Sequence, residues 1–194
     1  KSKTFIDANA SSNTFVAAAA QPTTTFTLAK TSFGTNTARK ITATTTGSSD
    51  GGKTITIVGT DEKGDALTEV ITLPGSASTT SGTTGAFLTI TSATVSAQPA
   101  ANVSLGMTAE VFGSIFTGRT RVRQVNAASG GAIGSVEFRD GSISGSSLLT
   151  VRTGATEGDL NTINIPQDGI LYKDGAFVSF SELHANSVTV YFDG

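Results

Sequence analysis

The chain contains no cysteine and no tryptophan, a single histidine, and only 14% charged residues among its 194. Without cysteine there are no disulfides, no thiolate metal sites and no cysteine nucleophiles, and cysteine usage says nothing about redox compartment. One histidine falls short of the three or four N or S ligands that a zinc site needs. That residue, His184 in SELHANS, sits just past a candidate strand in a polar turn. A solvated turn residue is therefore expected there in place of a catalytic base. With no tryptophan and two tyrosines, an aromatic sugar platform is poorly supplied. Paired carboxylates remain open, because any two of the 15 acids can meet in space.

A formal net charge of −2 gives no bulk attraction to nucleic acid or to an anionic membrane. No apolar run approaches the roughly eighteen residues of a membrane span, and AAAA at 17–20 is far too short. The opening KSKTFIDANA lacks a charged-then-apolar leader, so lysis or assembly into a particle is the expected route out of a cell. Globular proteins average about 25% charged residues. Here threonine, serine and 22 glycines take that place. Threonine suits strands and glycine suits turns, which points to many short strands with uncharged outer faces. Eleven phenylalanines suggest compact cores of Phe, Ile, Val and Leu.

Along the chain the spacing predicts strands at 24–29, 39–46, 53–61, 67–74, 86–96 and 101–107, with Gly-rich turns between them. No interval is long and helical enough for a parallel βαβ crossover. Near Thr108 the texture changes, and five of the six arginines come after it. TAEVFGSIF (108–116) reads as a helical turn or a linker strand. A second set of strands is expected at 120–127, 134–140, 147–153, 161–166, 176–183 and 187–193. Val136 and Phe138 share one face, as do Val188, Val190 and Phe192. The expected architecture is all-β, with two antiparallel β-sandwich domains at 23–108 and 109–194 behind an N-terminal arm, 1–22. Phe5, Ile6, Phe15 and Val16 anchor that arm, either as an ordinary first strand or as a docking arm on a neighbouring subunit.

Three motifs invite chemistry. GSSDGGKT (47–54) satisfies G-x-x-x-x-G-K-[ST], the phosphate-cradling pattern. That loop needs a helix behind it, yet Thr54, Ile55, Thr56, Ile57 and Val58 alternate as a strand. The stretch therefore reads as a hairpin loop with Asp50-Gly51 as its turn and Lys53 as a solvated flanking charge. No cofactor or metal is expected from it. DEKGD (61–65) has too few oxygens in calcium spacing and fits a polar hairpin turn, with Gly64 supplying positive φ. Arg119, Arg121 and Arg123 fall on one face at period two. Their repulsion calls for acceptors: Glu137 or Asp140 locally, or carboxylates and anions of a partner.

Residues 38–107 carry a recognisable texture: ARKITATTTG, KTITIVGTDEKGDALTEVITLPGSA, FLTITSATVS and ANVSLG, in that order. This stretch resembles an Ig-like β-sandwich module recurring in structural proteins of tailed-bacteriophage virions. GSVEFRDGS, INIPQDGILYKDGAFVSF and SVTVYFDG are similar in style to C-terminal, jelly-roll-like β domains of such proteins. The resemblance implies a non-enzymatic capsid decoration or cement protein on the capsid exterior. Its partners would be the major capsid protein and itself, as a homotrimer, with no direct nucleic-acid or membrane contact. Phe5, Ile6, Phe15, Val16, Arg119, Arg121 and Arg123 are the expected interface residues. The alternatives are a fibre or tail-associated adhesion module that contacts host receptors through loops 75–85 and 141–147, and a nucleotide-dependent enzyme acting through Lys53 and Thr54.

Overall fold

The computed structural model describes residues 1–7, 15–20, 23–79 and 82–194. These residues form sixteen strands and no helix, an all-β sandwich fold. The first eight are β1 (Ser2–Asp7), β2 (Val16–Ala20), β3 (Gly34–Thr35), β4 (Ala38–Thr45), β5 (Thr54–Asp61), β6 (Ala66–Thr72), β7 (Ser78–Thr79) and β8 (Phe87–Val95). Then come β9 (Asn102–Phe116), β10 (Thr120–Ser129), β11 (Gly134–Asp140) and β12 (Ser147–Thr153). The last four are β13 (Leu160–Asn164), β14 (Ile170–Tyr172), β15 (Ala176–Ser181) and β16 (Ala185–Asp193). Two compact units result. Unit 1 comprises Lys1–Ala8, Gly34–Thr37 and Ala109–Gly194; unit 2 comprises Asn9–Phe33 and Ala38–Thr108.

In unit 1 one sheet has the order β13-β10-β16-β1-β3, with β14 also paired to β10. A second layer runs β12-β11-β15 and onto the Glu110–Phe116 part of β9. All these ladders are antiparallel. The core takes one face of each layer. Val136 and Phe138 are buried while Glu137 and Arg139 are half-exposed, as period two requires. Val188, Val190 and Phe192 are buried together on β16.

β1 corrects the expectation of a docking arm. Ser2 to Ile6 pair residue by residue with Tyr191 to Ser187 of β16. A ladder of that length holds the terminus more firmly than side-chain anchors alone, because each paired residue satisfies its own backbone. Phe5 is fully buried in the core of unit 1, with its ring against β9 at Gly113. A Cβ at Gly113 would come 2.3 Å from the Phe5 ring, so glycine is required inside this strand. Lys3, on the same face of β1 as Phe5, donates its Nζ to the Ser114 carbonyl at 2.7 Å, and burial lowers its pKa. Phe15 and Val16 are buried in the core of unit 2. These three residues are core, not interface; Ile6 alone of the four is exposed, at 46%. Residues 8–14 and 21–22 of the expected arm lie outside the described residues.

In unit 2, β5 is flanked by β6 and β8 in long antiparallel ladders. β4 touches β8 at one pair, Arg39 with Phe87, and pairs with β7 at Thr44 and Thr45. β2 lies on β9. The core gathers Phe15, Phe33, Ile41, Ile55, Ile57 and Phe87, all at most 1% exposed. Arg39 is also fully buried, and its Nη1 donates to the Thr108 carbonyl at 2.9 Å.

Two other expectations change. Residues 24–29 form no strand; Phe26 enters the core and the segment makes only isolated bridges, such as Thr25 to Thr94. Of the two readings of TAEVFGSIF the helical turn is lost and the linker strand holds: the segment continues β9, and the boundary between the units falls at Thr108/Ala109. Phe5→Ala is expected to cost about 3–5 kcal/mol. The check is a lowered urea midpoint at unchanged slope.

Candidate functional site

The element behind the 47–54 loop decides its chemistry. Thr54 opens β5, so no helix N-terminus faces the loop. The loop is not a hairpin either: β8, not β4, is the neighbour of β5 on that side, and the chain crosses from one strand to the other. The expectation of a hairpin is corrected, because a loop's composition reports a reversal of direction but not which strand is met afterwards. Gly52 supplies the left-handed backbone at φ +83°, one residue beyond the expected turn dipeptide.

Lys53 is not a solvated flanking charge. Its Nζ donates to Asp50 Oδ1 at 2.6 Å and to the Gln98 carbonyl at 2.7 Å. The Asp50 side chain has no exposed surface. Its Oδ1 also accepts the Ala100 amide at 2.8 Å, and Oδ2 the Ala101 amide at 2.9 Å. Burial alone would raise the Asp50 pKa. The Lys53 hydrogen bond, the two amides and the Lys53 charge outweigh burial and hold it below the ordinary carboxylate value. The lysine that would meet a phosphate is thus engaged in a cross-link between this loop and residues 98–101.

Two further carboxylates of unit 2 act in the same way. Asp61 Oδ1 accepts the amides of Lys63 (2.8 Å) and Asp65 (2.9 Å). Together with Gly64 at φ +95° this closes the β5–β6 hairpin, so DEKGD is a self-capped turn. Glu69 accepts Thr84 N on Oε2 (2.7 Å) and Gly85 N on Oε1 (2.6 Å), fastening the loop before β8 against β6. Asp50, Asp61 and Glu69 therefore each hold two backbone amides. Glu62 is half-buried beside this hairpin, and desolvation raises its pKa.

The arginines of unit 1 separate into different roles. Arg119 is exposed just ahead of β10, and no described residue pairs with it. Arg121 Nη1 reaches the carbonyls of Asp168 and Gly169 at 3.3 and 3.4 Å. A bulge between Val122 and Gln124 leaves Arg123 as the extra residue of β10. Arg123 Nε donates to Asp193 Oδ2 at 2.6 Å and its Nη1 to the Gln167 carbonyl at 3.0 Å. Glu137 and Asp140, the acceptors expected from sequence, are not the partners. Glu137 pairs with Arg139, which also donates to Ser179 Oγ and the Gly145 carbonyl. Arg119, Thr120, Arg121, Leu171 and Asp193 line an open cleft of about 210 Å³.

His184 sits in the turn between β15 and β16, with its ring against Gly134. No described carboxylate or hydroxyl approaches it to form a triad. Tyr172 is fully buried in the core of unit 1, and its hydroxyl has no hydrogen-bond partner among the described residues. Burial, with the Asp140 charge adding to it, pushes that phenol well above its ordinary value. Among the described residues no three His, Asp or Glu side chains gather as a metal site. No helix among them is long and apolar enough to cross a membrane. Loop 75–85 includes two residues outside the described set.

No family model matches the chain, and no curated protein does. The fold and these contacts define an all-β sandwich protein in which the three carboxylates just described are joined to its own backbone.

Asp50 sets a pH dependence. Its folded pKa lies below the unfolded one, so its contribution is complete above about pH 4 and is lost as pH falls through the folded value. Asp50→Asn is expected to cost about 1.5–3 kcal/mol at neutral pH. The same variant should flatten the acid limb of the stability curve, measured by urea unfolding across a pH series. Arg123→Ala, between partly exposed groups, is expected to change stability by less than about 1 kcal/mol in the same assay.

Proposed function

We propose that the protein is a non-enzymatic structural component of a tailed-phage virion that decorates or cements the capsid exterior. The observation that supports it most is how the segments carrying the phage resemblance fold. ARKITATTTG becomes β4, KTITIVGTDEKGDALTEVITLP becomes the β5–β6 hairpin, FLTITSATVS becomes β8 and ANVSLG opens β9. Together with Phe15 and Phe33 they enclose one apolar core, and carboxylate clamps fix the loops between them. Such a unit has the stiffness a shell component needs. Its outer strand faces carry threonine and valine in place of charge.

In this reading the partners are the major capsid protein and further copies of the chain. A subunit that bridges capsid joints adds buried area where the shell is pulled apart, and contacts of roughly 1,000 Å² or more are the useful scale. Of the residues expected at such contacts, Ile6 and Arg119 are exposed.

Cryo-imaging of intact particles tests this reading. The expected result is density for the chain at many copies on the outer face of the shell, in contact with major capsid subunits. A few copies at the tail would remove the cement role and favour the adhesion module.

A further inference from the structure

The free edge of β6 carries an inference that does not rest on the capsid reading. The register of β5 on β6 pairs Thr54 with Thr72 and Thr60 with Ala66. Asp61 N donates to the Asp65 carbonyl and Leu73 N to the Lys53 carbonyl. In an antiparallel ladder hydrogen-bonded pairs alternate with non-bonded ones. The odd-numbered residues of β6 therefore direct their N–H and C=O groups to β5. Ala66, Thr68, Val70 and Thr72 direct theirs away from it. β6 is the last strand on this side of its sheet, and no described strand meets those groups.

This edge lacks most of the usual protection; its one guarding feature is the inward-pointing Glu69, which is bonded to Thr84 and Gly85. Natural edges are shortened, bulged, or marked with lysine or proline. β6 is seven residues long, contains neither lysine nor proline, and keeps an unbroken register with β5. The other edges differ. β3 has two residues, β13 has five, and β12 meets its neighbour through a bulge. Val70, in the middle of β6, is 58% exposed. The Glu69 clamp holds Thr84 and Gly85 on the inner side of the strand. An open cleft of about 260 Å³ separates Glu69–Thr72 from Gly82–Thr84, so this part of the loop leaves the edge uncovered.

We propose that the β6 edge pairs with the β6 edge of a second copy of this chain, antiparallel about a two-fold axis at Val70. Only even-numbered residues have free peptide groups, so only even can face even across the axis. Centring on Val70 places Val70 opposite Val70, Thr68 opposite Thr72, and Glu69 opposite Ile71. Cross-strand threonine and β-branched pairs of this kind favour association. Centring one step away, on Glu69, would set two glutamates face to face, which like-charge repulsion disfavours. Glu69 is the only charge on β6, and it is already bonded within its own chain. The edge therefore offers nothing to a charged partner and is complementary to itself. The symmetry is isologous, unlike the three-fold ring that the sequence resemblance implies. A single strand pair buries less than the roughly 1,000 Å² of a stable complex, so the dimer is reversible.

Sedimentation equilibrium of the full chain, from micromolar to millimolar concentration, reads this directly. The wild type is expected to approach double its monomer mass as concentration rises. Val70→Pro removes an N–H that has no partner among the described residues, and proline is tolerated at sheet edges. It is expected to weaken dimerisation at least about tenfold, with circular dichroism unchanged. Should that variant unfold, the exposed Val70 side chain allows a second route. Val70→Lys and Val70→Glu are each expected to be monomeric alone and to pair when mixed. A wild type that stays monomeric throughout overturns the proposal. So does a dimer indifferent to Val70→Lys, or a Lys/Glu mixture that stays monomeric.

Discussion

A carboxylate that accepts two backbone amides is the contact that unit 2 is built around. Asp50, Asp61 and Glu69 each do this, at distances of 2.6–2.9 Å. A sandwich of short strands leaves many loop amides outside any ladder, and a buried amide without an acceptor is costly. An ionised carboxylate has lone pairs for several donors, so one side chain can satisfy a pair of neighbouring amides and fix a loop's direction. In a chain with few charges, these three carboxylates tie charge directly to loop backbone. Lys53 completes the Asp50 cluster by neutralising the buried carboxylate, which the amides alone would leave as a net charge in the interior.

Unit 1 solves a different problem with apolar contacts. Its first sheet joins residues nearly the whole chain apart, β1 lying on β16, and Phe5 covers Gly113 of β9. Arg123 sits at the bulge of β10 and ties the end of β16 to the 166–169 loop. A bulge turns an extra side chain outward, and here that side chain is an arginine with two nearby carboxylates, Asp193 and Asp168. The three arginines therefore do not form one cationic row. Arg119 has no partner among the described residues, Arg121 rests on carbonyls and Arg123 is paired.

The phosphate-loop pattern shows how a short motif separates from its chemistry. The glycines at 47, 51 and 52 serve a tight crossing, and the lysine serves a buried aspartate. A nucleotide loop runs into a helix, whereas this one runs into β5, and alternation in TITIV already revealed that strand. The role of Lys53 was hidden, because its acceptors include a carbonyl some forty-five residues further along the chain.

Residue patterns were enough to establish that the chain is built of strands, where most of them run, which faces are apolar, and that DEKGD closes a hairpin. Those features are local: side chains repeat every two residues along a strand, and an aspartate caps amides two and four positions away. It took the folded arrangement to make Phe5 core, to set β8 between β4 and β5, to form a strand from Ile170–Tyr172, and to bring Asp50 to Ala100 and Ala101. Each of those depends on which strand becomes whose neighbour. That choice is made by summed burial and backbone pairing over distant segments, and no residue pattern within one segment records it.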